Sequence, residues 1–330
     1  MNEAVDDRIG RRMARWVAGV LGCVLAGWLG WGCASTGSGG TAGFRFEPVN
    51  ESSLGLWEGD RPVLVYNHGV IRRAGVPERY ARSTYVHPLY GVDGEVLTDD
   101  FPADHLHHRG LFWAWPHVRV GGVRYDLWLL QGIRQQFERW GRREASAREA
   151  LLEVHNGWYA GEAKVVDETV RFRVHPVRGG TRAVDVAFEW RVLKGPLTLQ
   201  GAEGKSYGGL TLRFAPGTNT AITIPAGRIS EDLAMTNLPW ADLTRLWAGS
   251  GRTSGAAIFV APDHPGYPPQ WLLRHYGVLC LGWPGVEPET FGEGDVIRAR
   301  YQVWIHRGEV DAARLREAYA EYCRELGLLR

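Results

Sequence analysis

From Phe44 onward the hydrophobic pattern repeats every two residues. Val184, Val186, Phe188, Trp190 and Val192 share one parity, with Asp185, Glu189 and Arg191 on the other. Val170, Phe172 and Val174 alternate with Arg171, Arg173 and His175. Ile297, Ala299, Tyr301, Val303 and Ile305 alternate with Arg298, Arg300, Gln302 and His306. A period of two is the mark of a strand with one face buried and the other wet or turned to a ligand. Turn residues separate these runs at Arg178-Gly179-Gly180, Lys194-Gly195-Pro196, Ala215-Pro216-Gly217 and Glu293-Gly294-Asp295. Strands on short connections make an antiparallel sandwich, not a parallel sheet with crossover helices. The expected fold is therefore mostly β, one large antiparallel β-sandwich over residues 44–330. One segment changes period: after Asp311, Leu315, Tyr319, Tyr322 and Leu326 recur at helical spacing and Gly327 supplies a stop. This C-terminal helix is expected to pack on the sandwich edge.

The first 43 residues follow another logic. A basic stretch ending at Arg15 precedes an apolar run from Trp16 to Gly32, then Cys33 and a Ser/Gly-rich tether. That order is secretory. The cysteine at the end of the run resembles a bacterial lipoprotein signal, although Leu29 stands four residues before Cys33 where the pattern wants three. The expectation is a signal peptide, lipidation at Cys33 and a chain held in the cell envelope, with the membrane as a partner. An uncleaved membrane anchor is the alternative reading of the same run.

Composition narrows the partners. The formal net charge is +1, and the chain after residue 32 carries 34 basic and 34 acidic residues. With no basic stripe, nucleic acid is not an expected partner. Fifteen tryptophans fill a thick core or line a binding face. Core packing is the leading expectation for Trp240, Trp247, Trp271 and Trp283, stacking on sugar faces the other. Beyond the signal only Cys280 and Cys323 remain; a disulfide is permissible, and burial as free thiols is the commoner outcome.

Chemistry concentrates in one stretch, Arg82 to Trp115. Five of the eleven histidines fall between His87 and His117, three of them within four positions beside Asp104 and Arg109. Glycines and prolines make the stretch loop-rich, where sites usually sit. Three readings stay open. As a metal centre, His105, His107 and His108 would ligate zinc, copper or iron. As an acid/base site, an imidazole oriented by Asp104 would move a proton while Arg109 steadies a developing negative charge. The bland reading is that the imidazoles cap turns. Glu203-Gly204-Lys205-Ser206-Tyr207-Gly208-Gly209 is a second polar group, equally a ligand contact or a turn.

The segment from Tyr85-Val86-His87-Pro88-Leu89-Tyr90-Gly91 through Asp104-His105-Leu106-His107-His108-Arg109-Gly110 to Trp113 resembles the signature of the PmoA-like family of bacterial secreted or lipoprotein-like proteins, a domain of unknown function. Lys205 to Phe214 and the closing strand Tyr301 to His306 are similar to its later motifs. The resemblance implies a β-sandwich like the galactose-mutarotase supersandwich, which binds sugars on a concave sheet face with histidine and carboxylate chemistry. Fold analogy alone names no reaction. The leading expectation is an exported carbohydrate-active or carbohydrate-binding protein. Asp104, His105, His107, His108 and Arg109 would do its chemistry, and Arg82, His87, Tyr90, Lys205 and Tyr207 would hold a saccharide. The alternatives are a metal-dependent oxidoreductase using the same imidazoles and a non-catalytic structural lipoprotein.

Overall fold

The computed structural model describes residues 43–328. The apolar run Trp16 to Gly32 and the lipidation expected at Cys33 lie outside the described residues. Two nine-stranded antiparallel sheets dominate. The first runs in the order Phe44–Asn50, Ser53–Glu58, Arg61–Asn67, Tyr85–Leu89, Leu111–Ala114, Gly209–Arg213, Val278–Gly282, Gln270–Arg274, Leu233–Asn237. The second runs Gly227–Ile229, Gly217–Ile224, Trp240–Trp247, Thr253–Val260, Val296–Arg307, Thr181–Val192, Ala163–Val174, Ala150–Ala160, Ile133–Ala145. A four-stranded sheet of Glu289–Phe291, Leu197–Gln200, His117–Val120 and Val123–Tyr125 closes one end.

The two-residue period read from the sequence is the register of the second sheet. Val170 faces Phe188, and Phe188 faces Ala299, across three neighbouring strands. Their side chains point into a single core that both large sheets share. Trp113 of the first sheet meets Phe188 of the second edge-on at 4.8 Å, and Tyr66 meets Phe172 at 5.8 Å. Edge-to-face packing at these separations adds about 0.5–1.5 kcal/mol per pair to the area buried.

One polar residue occupies an inward position in that core. Glu168 has the parity of Val170 and is 1% exposed. Trp113, Trp158 and Trp190 each donate an indole N–H to its Oε2 at 2.8 Å, and Asn156 donates to Oε1 at 2.8 Å. Asn156 and Trp190 are its cross-strand neighbours on either side. Trp113 comes from the opposite sheet, so the carboxylate ties the two layers together.

The helix Ala312–Glu325 begins at Asp311, whose side chain accepts from the Arg314 N–H at 2.8 Å. It does not sit on the sandwich edge as expected. Leu315, Ala318 and Tyr322 pack on Trp240, Phe259 and Trp304, because those strands carry apolar residues on both faces and the outer face needs a cover. Trp240, Trp247, Trp271 and Trp283 are all buried, so core packing is their role. Cys280 and Cys323 are buried free thiols. Among the described residues no helix is long and apolar enough to cross a membrane.

Candidate functional site

The stretch between the strands Tyr85–Leu89 and Leu111–Ala114 folds over the outside of the first sheet. Two successive turns shape its centre, with His105 N–H bonded to Pro102 O and His108 N–H to His105 O. At its end Gly110 lies against the Tyr85–Leu89 strand, where a Cβ would come within 2.2 Å of Val86 O. Only glycine allows that approach.

These turns bring the three imidazoles together. His105 stacks on His108 at 4.6 Å, and His107 stands edge-on to His108 at 4.7 Å. Residues from distant strands and loops wall the group. Trp128 lies 5.6 Å from His108 and 6.3 Å from His107. Tyr276 stacks on His105 at 5.5 Å, and Tyr80 lies 6.3 Å from His107. Tyr207 packs on Trp128 at 4.8 Å. His108 is buried, whereas His105, His107, Tyr80 and Tyr207 are half-buried and Tyr276 is exposed. The result is a patch of aromatic and imidazole faces with a buried floor.

Each charged neighbour has a distinct setting. Asp104 receives both its oxygens' bonds from Arg213 Nη2, at 2.7 and 3.0 Å, and lies 3.0 Å from His105 Nδ1. Burial works against its ionised form, but the bonds from His105 and Arg213 win and hold its carboxyl below the usual range. Arg109 is fully buried and turned away from the patch. It donates to Leu106 O, His108 O and Tyr80 O, covers the Phe101 ring at 3.5 Å and pairs with Asp100 at 3.4 Å. This guanidinium clasps the loop. Arg82, 3% exposed, donates Nη2 to Leu127 O and Trp128 O and lies over Phe112. His87 bonds Thr98 Oγ1 at 3.0 Å beneath the loop. No hydrogen bond or ring contact joins Tyr90 or Lys205 to the imidazoles among the described residues, and Lys205 is exposed. The structure thus groups Asp104, His105, His107, His108 and Tyr207, puts Arg82, His87 and Arg109 beneath them, and leaves Tyr90 and Lys205 apart.

Burial, then the neighbouring His105, Arg82 and Arg109, lowers His107 to about 4. Burial, then the other two imidazoles, pushes His108 well below the ordinary histidine value. Both rings are therefore neutral near pH 7, able to accept a proton or a hydroxyl hydrogen bond. Asp100 moves the other way, raised by burial to about 6 while accepting from Tyr85 OH at 3.0 Å. Carboxyls and imidazoles driven to unusual values side by side are a recurring mark of working sites.

The metal reading gains no support from this arrangement: among the described residues no group of three His, Cys, Asp or Glu side chains is placed to hold an ion. A further sign is backbone strain. Of six non-glycine residues with positive φ among the described residues, Thr84, Phe101, Leu130 and Ser206 adjoin or nearly adjoin Arg82, Asp100, Trp128 and Tyr207. Each such residue costs about 1–3 kcal/mol, and such positions cluster at functional sites. Sequence reasoning missed Trp128, Arg213, Tyr276 and Tyr80, which only the fold brings near, and gave no role to Asp100.

A separate hollow lies on the second sheet. It measures about 350 Å³ and is bounded by residues including Glu138, His155, Lys164 and Glu189. Of its cations, Lys164 is matched locally, bonded to Glu138 at 2.8 Å.

Comparison with known proteins replaces the expected PmoA-like assignment. The family whose model matches, over residues 54–320, is a family of unknown function, DUF6807. The His-rich motif does not carry the PmoA-like label to this chain. No curated protein matches. Among solved structures, heparan sulfate lyase HepC from Pedobacter heparinus is 8% identical over 82% of this chain and 36% of its own, with a TM-score of 0.38. A GH36 alpha-galactosidase, AgaA from Geobacillus stearothermophilus, crystallised with raffinose, is 11% identical over 80% of this chain and 41% of its own, with a TM-score of 0.36. The chain spans about two fifths of those proteins or less.

Proposed function

We propose that this chain, which belongs to the DUF6807 family, is a saccharide-binding protein of the cell envelope, tethered through Cys33, whose site is the imidazole and aromatic patch around His107. The observation that carries this reading is the pairing of the neutral His107 and His108 imidazoles with a cluster of aromatic rings, two of which, Tyr276 and Tyr80, also carry an arginine over one face. A pyranose has an apolar C–H face and a rim of hydroxyls, each both donor and acceptor. Tyr276, Tyr80 and Tyr207 offer surfaces to the face, and His105, His107 and Asp104 offer acceptors to the rim. If the bound sugar is turned over, His107 is the group suited to take a proton, since its environment keeps it neutral and half-exposed. Asp104 and Arg213 fix the orientation of His105, and Arg109 holds the loop that carries all three rings.

The test is a panel of oligosaccharides titrated into the full-length chain, with product analysis in parallel. Binding to at least one glycan, weakened at least about tenfold by His107→Gln, is the expected result. Binding that His107→Gln and Tyr276→Ala both leave unchanged would move the site elsewhere.

A further inference from the structure

Three side chains at the patch are buried while some of their polar atoms have no partner. Arg82 bonds through Nη2, to Leu127 O and Trp128 O; its Nε and Nη1 have no hydrogen-bond partner among the described residues. Arg213, 5% exposed, uses Nη2 on Asp104, and its Nε and Nη1 are likewise unpaired. His108 Nδ1 is the third case, at 4% exposure. The three belong together. Arg82 lies over Phe112, which packs on His108 at 6.0 Å, and the charges of both arginines act on His108.

A buried donor left unmade costs about 1–3 kcal/mol, more for a charged group. A folded chain that keeps several in one place needs an explanation. Arg82 has no carboxylate within ion-pair distance among the described residues. The acid whose charge it feels, Asp126, accepts the Leu129 N–H at 2.7 Å. Arg245, buried and bonded only to the carbonyls of Ala215 and His275, adds its positive charge to that of Arg213. Arg109 also leaves its Nε without a hydrogen bond, but Asp100 stands 3.4 Å from it and three carbonyls take its other N–H groups.

We infer that the saccharide this site takes is acidic, its carboxylate or sulfate received by the free N–H groups of Arg82 and Arg213, with His108 beside them. This rests on the saccharide reading above and names its class. A planar guanidinium edge matches two oxygens of one anion, and such charge-assisted bonds are about twice as strong as neutral ones. Neutral hydroxyls would leave Arg82 without an ion pair, whereas Arg213 already has Asp104.

The experiment titrates the full-length chain calorimetrically with three probes: an oligogalacturonate, the same oligomer with its carboxyls reduced to alcohols, and a sulfated galactan oligosaccharide. The expected result is that an acidic probe binds at least about tenfold tighter than the reduced one, and that added salt narrows the gap. Preference for the uronate assigns a carboxylate, and preference for the sulfated probe a sulfate; either supports the inference. Equal binding of acidic and reduced probes would overturn it while leaving the saccharide reading intact. No binding by any probe would overturn it together with that reading for these sugars. Arg82→Gln is the direct variant. Should it fail to fold, Arg213→Lys keeps the charge, removes the fork and is expected to weaken only the acidic probe. Unchanged affinity for that probe in the folded variant would contradict the assignment.

Discussion

Glu168 and His108 are almost equally buried, at 1% and 4% exposure, yet their surroundings differ. Glu168 accepts from three indoles on one oxygen and from Asn156 on the other, so both oxygens are satisfied within the fold. His108 sits among rings, with Nδ1 unpartnered and two arginines nearby whose N–H groups are only partly used. A saturated buried group is an internal tie, because every bond it makes already exists in the folded chain. An unsaturated group at the surface of a loop cluster is a socket. Burial alone does not separate the two; counting the bonds does.

That contrast predicts effects in order. Glu168→Gln should be the most damaging single change. Its NH2 sets two donors either where the three indoles point or where Asn156 points, and breaking such a buried charged network costs about 3–5 kcal/mol. Urea unfolding would read this as a lowered midpoint with the same slope. A loss below about 1 kcal/mol would show that the carboxylate is not the tie between sheets. Arg109→Met should follow at about 2–4 kcal/mol, since it strands the Tyr80, Leu106 and His108 carbonyls and the Asp100 carboxylate. Its second signature is loss of saccharide binding, because the loop that presents the imidazoles is released. Glu168→Gln protein that stays folded should instead bind normally.

Acid should act through the socket. His87 and His107, at about 4 in the folded chain against 6.5 for a free imidazole, bind fewer protons folded than unfolded, and His108 is lowered further. Their contribution is whole above pH 6.5 and lost as pH falls toward 4. Asp100, raised from 3.8 to about 6, opposes them: its contribution is whole below 3.8 and lost as pH rises through 6. His264, at about 4, and His68 are lowered by burial too, while Asp99, Asp126 and Glu289 are raised like Asp100. The imidazoles carry the larger shifts, so Tm is expected to drop between pH 7 and pH 4.5, and His87→Gln with His107→Gln should make the curve shallower. A curve just as steep in that double variant would place the acid sensitivity elsewhere. The smallest effect belongs to Lys205→Ala. This exposed side chain makes no bond among the described residues, and stability should stay within about 0.5 kcal/mol. A change in affinity beyond about threefold would return Lys205 to the site from which its placement separates it.

The sequence displayed these two regions unequally. The strands were legible wherever one face is wet, as at Val184 to Val192, and the helix from its Asp311 cap and its spaced Leu315 and Tyr322. Glu168 was legible in principle, an acid at the inward parity of Val170 and Phe172, but which donors meet it depends on pairing Asn156 and Trp190 across strands and Trp113 across sheets. The His-rich loop announced itself by composition, and His105, His107 and His108 do gather. What composition does not show is direction. Arg109 reads like a substrate clamp and turns inward, because three loop carbonyls need a donor. Trp128, Arg213 and Tyr276 lie 20 to 171 residues further along the chain than His105 to His108 and arrive only through the fold. The short motif was also too local to fix the family, which the match across residues 54–320 does.

The central claim is that the imidazoles around His107 meet a saccharide. The most direct measurement follows the ring signals of all histidines by NMR as an oligosaccharide that binds is added to the full-length chain, with His107→Gln used to assign its own signal. The expected result is that the signals of His105, His107 and His108 move together and saturate, while those of His155 and His175 on the second sheet stay still. A glycan that binds and shifts His155 or His175 but none of the three would contradict the account.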